Sequence, residues 1–138
     1  MLNRLRRERG QELVEYALVL PVLLALILGI MQLTLVILSY NTLGEAARQG
    51  ARFGVISDNA DPNYPNKIKD KVYAVTDAAG MKRADLTFVL PFKQTDNQTL
   101  RVDVTYNMLL IVPISIVPIS GSNRIPLRAV STKLLEVR

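Results

Sequence analysis

The sequence predicts an α+β protein: a long N-terminal transmembrane helix extending into a small domain with a short helix and a roughly three-stranded antiparallel sheet. Three observations lead there. No charged residue occurs from Tyr16 to Gly44. A second, shorter segment keeps apolar residues at helical spacing, and beyond residue 85 there are stretches in which apolar and polar residues alternate one by one.

The apolar run sets the class. Residues 13–31 are apolar except for Glu15, within a chain of 138 residues that is 49% hydrophobic. A bilayer core of about 30 Å needs roughly 20 helical residues at about 1.5 Å each. Residues 13–39 are long enough to cross with some tilt. A core helix can be this apolar, but fewer than a hundred residues follow to bury it on every side. The expected organisation is a basic leader over 1–10, the helix and its extension over 11–56, and a small domain over 57–138.

The flanks give orientation. Arg4, Arg6, Arg7 and Arg9 precede the run with only Glu8 against them, whereas Glu45, Arg48 and Arg52 behind it are mixed in sign. This asymmetry predicts a cytoplasmic N-terminus and an extracytoplasmic C-terminal domain. Arginine clusters also bind nucleic acid, but four arginines abutting an apolar run already have a topological role, so no nucleic-acid partner is expected. Without residues 1–10, which hold four arginines and one glutamate, the net charge falls from +5 to +2. The basic character belongs to the leader.

Cysteine and histidine are both absent. That excludes disulfides, thiol nucleophiles, histidine bases and metal sites built on either residue. Asp58, Asp61, Asp70, Asp77, Asp85, Asp96 and Asp103 stand in polar or alternating contexts and read as solvated surface. There is no Gly-rich phosphate loop and no nucleophile elbow. The chain reads as a non-enzyme without a cofactor.

Glu15 is the residue that needs explaining. A carboxylate at the edge of an apolar run costs free energy unless it finds a partner or a proton, or snorkels to the headgroups. Gly10 stands five positions earlier, at the boundary between basic and apolar residues. The run is too long for a secretory signal peptide, and no A-x-A cleavage site follows it.

Gly10, Glu15 and the apolar helix behind a basic leader resemble the type IV prepilin signature. In that family a prepilin peptidase cuts after the glycine, so the resemblance implies a mature chain beginning at Gln11. Glu15-Tyr16 is more similar to the Tad (tight adherence, type IVc) branch. The strings Arg9-Gly10-Gln11-Glu12-Leu13-Val14-Glu15-Tyr16-Ala17-Leu18-Val19-Leu20-Pro21 and Glu45-Ala46-Ala47-Arg48-Gln49-Gly50-Ala51-Arg52 resemble TadE-like proteins. The likeness is closest over residues 6–55. Tyr16 stands where Phe is common in TadE-like members, and the outer domain is bulkier than the very short main pilins of Tad systems.

The resemblance implies a minor pilin or pseudopilin, with the membrane, the prepilin peptidase, other pilin subunits and the pilus assembly platform as partners. Glu15, Tyr16 and Pro21 would then act in assembly and register. Cleavage would create an α-amine at Gln11 with a reference pKa near 7.7–8.0. Glu15 of the same or a neighbouring subunit is a partner for it. The competing reading is an uncleaved single-pass protein whose outer domain binds a ligand or partner.

Beyond the run, Leu43, Ala47, Gly50, Ala51 and Gly54 form one small-residue helical face, with Glu45, Arg48 and Arg52 opposite. Packing inside the domain is expected of that face rather than contact between subunits. Pro21 interrupts the backbone donors of the run and is expected to kink or loosen it. Gly29, Gln32 and Thr34 mark either a helix-packing face or single tolerated residues.

Residues 58–66, with Pro62 and Pro65, read as a loop. Pro65 then opens a short helix with Ile68, Val72, Val75 and Ala79 on its apolar stripe and Gly80 at its end. Strands are expected with Leu86, Phe88 and Leu90 on one face, then with Leu100, Val102, Val104 and Tyr106 on one face, joined by a turn over 93–99. A last strand spans 127–137. Residues 108–119 are apolar but broken by Pro113 and Pro118, and read either as packing over the sheet or as an exposed membrane- or partner-facing loop.

Overall fold

The computed structural model describes residues 2–57, 61–90, 99–110 and 123–134, with side chains from Glu12 onward. Their elements run α1 (Leu2–Ile56), α2 (Tyr64–Ala78), a 3-10 turn (Arg83–Asp85), β1 (Leu86–Phe88), β2 (Thr99–Leu109) and β3 (Arg124–Leu134). This is the expected α+β arrangement. The chain divides into two compact units, Met1–Thr34 and Leu35–Arg138.

The first unit is helix. Its apolar side chains are exposed on every side, from Leu13 and Val14 through Leu18, Val19, Leu20 and onward to Leu33. From Glu12 to Ile56 the helix is long and apolar enough to cross a membrane, and its most apolar window is entirely unburied. A soluble core helix with this composition would be covered by its own domain. An all-round apolar helix without such cover calls for lipid or other helices.

The second unit packs the C-terminal part of α1 and α2 against one face of the sheet. Sheet order is β1-β2-β3, antiparallel throughout. Residues 100, 102 and 104 of the central strand turn fully buried side chains to the helices, with Leu86, Met108, Leu127 and Ala129 around them. From α1, Leu43, Ala46, Ala47 and Ala51 complete the core, and Leu35, Val36, Phe53 and Val55 pack at its margin. The small-residue face therefore packs within the domain, as expected.

Two glycines set the closeness of that packing. A Cβ added at Gly50 would lie 2.8 Å from Val72 Cγ2, and one at Gly54 would lie 2.4 Å from Leu100 Cδ2 and 2.9 Å from Ile68 Cδ1. The Tyr64 hydroxyl donates to the Gly54 carbonyl at 2.6 Å, joining the start of α2 to the end of α1. Burial pushes the Tyr64 phenol above its ordinary pKa.

The stripe of α2 differs from the expected one. Its buried residues are Tyr64, Ile68, Val72 and Thr76, a strict four-residue spacing, while Val75 is half-buried and Ala79 exposed. Thr76 enters the core because its hydroxyl donates back to the Val72 carbonyl at 3.1 Å, so burial leaves no polar group unmet. The helix ends as expected. Gly80 adopts φ +73° and the Met81 amide reaches the Thr76 carbonyl at 3.0 Å, a Schellman closure.

The strands also shift. β1 stops at Phe88, and Leu90 is exposed instead of sharing its face. β3 begins at Arg124, three residues before the expected start, and takes in Pro126. Proline is admissible there because β3 is an edge strand. Leu110 N donates to Asn123 O at 2.9 Å, so by the antiparallel alternation Pro126 turns its nitrogen away from β2. Met108 and Leu109 belong to β2 rather than to a loop. Of the turn expected over 93–99, Thr99 opens β2 instead, and residues 93–98, like Pro113 and Pro118, lie outside the described residues.

Candidate assembly segment

Every residue singled out for processing, topology or assembly lies on α1: Arg4, Arg6, Arg7, Arg9, Gly10, Gln11, Glu15, Tyr16 and Pro21. Helical backbone fixes their spacing. The nitrogen of Gln11 and residue Glu15 are four positions apart, about 6 Å along the axis and within roughly 40° of one face. Positions 11 and 15 thus share a side of one helix. Glu15 and Tyr16 are both exposed.

Pro21 does not interrupt α1, which continues through it as helix. Lacking an N–H, it leaves the Ala17 carbonyl without its usual donor four residues on. That carbonyl lies two residues past Glu15, so two acceptors fall within the first turns of the apolar run. Farther along, Gly29 has open space around its Cα, and the Thr34 hydroxyl donates to the Ile30 carbonyl at 3.0 Å.

A different polar cluster, in the second unit, was not foreseen. Asp103 was expected on solvated surface, but it is only 2% exposed. Alternation does place it on the face of the sheet away from the helices. It sits there on the central strand, flanked by Val130 in register on β3 and by Val89, whose amide donates to the Asp103 carbonyl at 3.1 Å. Neighbours on both sides remove the carboxylate from water.

Arginines neutralise it. Arg128 Nε donates to Asp103 Oδ1 at 2.9 Å while its Nη2 bonds Oδ2, and Arg101 Nη2 reaches Oδ2 at 3.3 Å. The hydrogen bonds from Arg128 outweigh burial and hold the Asp103 pKa below the ordinary carboxylate range. A visible signal was Arg101 two residues before Asp103, hence on the same strand face. Arg128 required knowledge of register. Asp85 is likewise largely covered and pairs with Arg124, whereas Asp61, paired with Lys67, is half-exposed and Asp77, paired with Arg83, is exposed. Asp70 is exposed, and Asp58 and Asp96 lie outside the described residues.

Arg128 to Asp103 and Arg124 to Asp85 join segments distant in the chain, and none of these charge pairs lies on the segment with Gly10 and Glu15. That segment is also where the likeness to known proteins falls. Among curated proteins and solved structures, none matches the chain. The family model described as TadE-like protein matches residues 10–52. From the glycine–glutamate junction through the apolar run to the small-residue face, this chain carries the TadE-like segment that its sequence led us to expect.

Proposed function

We propose that the chain is a structural minor pilin or pseudopilin that takes part in assembling a Tad-type (type IVc) pilus or a related secretion apparatus. The observation that carries this reading is the TadE-like match over residues 10–52, beginning at Gly10 and coinciding with an unburied apolar helix. In this reading residues 1–10 are a cytoplasmic leader removed by a prepilin peptidase. The mature chain starts at Gln11, sits in the cytoplasmic membrane with its C-terminal domain outside, and engages other pilin subunits and the assembly platform. Its role is architectural rather than catalytic.

The exposed apolar helix supports it physically. In a membrane the helix is solvated by lipid; in a filament the same surface is covered by neighbouring helices. Glu15 would have to find a partner on packing, because an isolated charge in an apolar bundle costs several kcal/mol. The α-amine at Gln11, one turn away, supplies the opposite charge.

The N-terminus of the chain from membranes that contain the peptidase is the test. Mass spectrometry is expected to find Gln11 first in the native protein and Met1 or Leu2 first in Gly10→Leu. A native chain that keeps residues 1–10 would instead favour the uncleaved single-pass reading.

A further inference from the structure

We propose that Gln11, once freed by cleavage after Gly10, closes on itself to a lactam, so that mature chains still unassembled in the membrane end in an uncharged pyroglutamate. The proposal rests on the processing reading above and goes beyond it, because it assigns a chemical fate to the new terminus.

The residue at the cut carries the chemistry. Gln11 would bring an α-amine and a carboxamide together in one residue. The amine nitrogen attacks Cδ, the new N–Cδ bond closes a five-membered ring, and the Cδ–Nε2 bond breaks. The side-chain nitrogen leaves as ammonia and takes up the proton that the amine gives up. No oxidant, metal or co-reactant enters the balance. Because both groups belong to one residue, the attack has the advantage of an intramolecular reaction. Only the uncharged amine attacks, and with a reference pKa of about 7.7–8.0 roughly a tenth of such an amine is uncharged at neutral pH. Loss of ammonia then makes each closure irreversible.

The helix favours the product. α1 runs from Leu2 through the cut and on to Ile56. Cleavage therefore leaves residue 11 at the N-terminal end of a helix, where the dipole is positive and the first backbone N–H groups lack partners within the helix. A protonated amine adds charge of the same sign. The lactam removes that charge and keeps one N–H and the carbonyl. The apolar run opens two residues on, at Leu13. An uncharged end enters the edge of lipid at less cost than an ammonium.

Pairing with Glu15 and ring closure compete for the same amine. An ammonium held by a carboxylate stays protonated and does not attack. Subunits packed with that pair keep the open terminus, and those still alone in the membrane close. From residue 11 to Gly44, Glu12 and Glu15 are the only charged side chains. A closed subunit therefore offers Glu15 no cation of its own along the span.

The test reads the terminus of the full chain in membranes that contain the peptidase. Reductive dimethylation at lysis tags every open terminus before handling can close it, and the N-terminal peptide is then weighed by mass spectrometry. Most mature chains are expected to begin at Gln11, lighter by one ammonia and untagged, and pyroglutamyl peptidase is expected to expose Glu12. Gln11→Asn, for which the same closure would need a strained four-membered ring, is expected to carry the tag. A tagged Gln11 of full mass would overturn the lactam and leave cleavage intact. So would a terminus blocked by a methyl group instead, or an ammonia loss that persists in Gln11→Asn. A chain beginning at Met1 or Leu2 would remove the cleavage reading and the lactam together.

Discussion

At the scale of single residues, the helix glycines separate into two kinds. Gly54 and Gly50 are spaces that neighbours fill, whereas Gly44 has nothing within 4 Å of its Cβ position. Alanine favours helix over glycine by about 1 kcal/mol. Overpacking a filled site costs about 1–3 kcal/mol. Gly44→Ala is therefore expected to raise the thermal midpoint of the domain and Gly54→Ala to lower it. Equal midpoints for Gly54→Ala and the parent chain would show that Leu100 and Ile68 yield freely. Asp103 gives a pH signature. Its folded pKa is depressed by Arg128, so the stability it confers is complete above the unfolded value near 3.9 and is lost as pH falls through the lower folded value. Asp103→Asn is expected to melt below the parent chain at neutral pH, by a gap that holds down to about pH 4 and closes beneath it. A gap that does not change with pH would assign the effect to packing rather than charge.

At the scale of elements, α1 serves two environments. Up to Thr34 its apolar side chains face outward all round; from Leu43 its small residues form one wall of a protein core. Glu15 belongs to the first part, in a different compact unit from the sheet and α2. Its replacement therefore removes no contact of the domain core. Glu15→Ala is expected to leave cleavage and domain folding intact and to lower recovery in filaments or the assembly complex by on the order of tenfold, the effect of about 1.4 kcal/mol between subunits. Glu15→Gln keeps the shape and separates hydrogen bonding from ion pairing. Undiminished recovery of both variants would leave Glu15 as a residue that snorkels to the interface. The sheet shows an element-scale economy of its own: Pro126 is confined to the outward side of an edge strand, where its missing donor interrupts no ladder.

At the scale of the whole molecule, charge distribution and apolar distribution point the same way. Arg4, Arg6, Arg7 and Arg9 lie on one side of the apolar run, and the remaining chain, with a net charge of +2 from residue 11 onward, is nearly neutral. An alkaline phosphatase fused after Arg138 is expected to be active, because that enzyme folds only outside the cytoplasm. Neutralising Arg4, Arg6, Arg7 and Arg9 together should reduce the activity by letting a fraction of chains insert the other way. An inactive fusion on the unmodified chain, with the protein present in the membrane, would reverse the topology.

The sequence by itself determined the long apolar helix, the short second helix with its glycine stop, and the central strand. Each is written in a local period: an uncharged run, an apolar stripe at helical spacing, an alternation of two. It also singled out Gly10 and Glu15, at the boundary where the TadE-like match over residues 10–52 begins. Only the tertiary structure decided what depends on neighbours distant in the chain. Asp103 looked solvated because alternation places it on the outer face, yet a central strand has flanking strands on both sides, and Val130 and Arg128 close over it from β3. Thr76 replaced Val75 and Ala79 in the core because α1 approaches α2 along the row through Tyr64, Ile68 and Val72. Local pattern fixes which way a side chain points; what it meets there is set by the packing of elements.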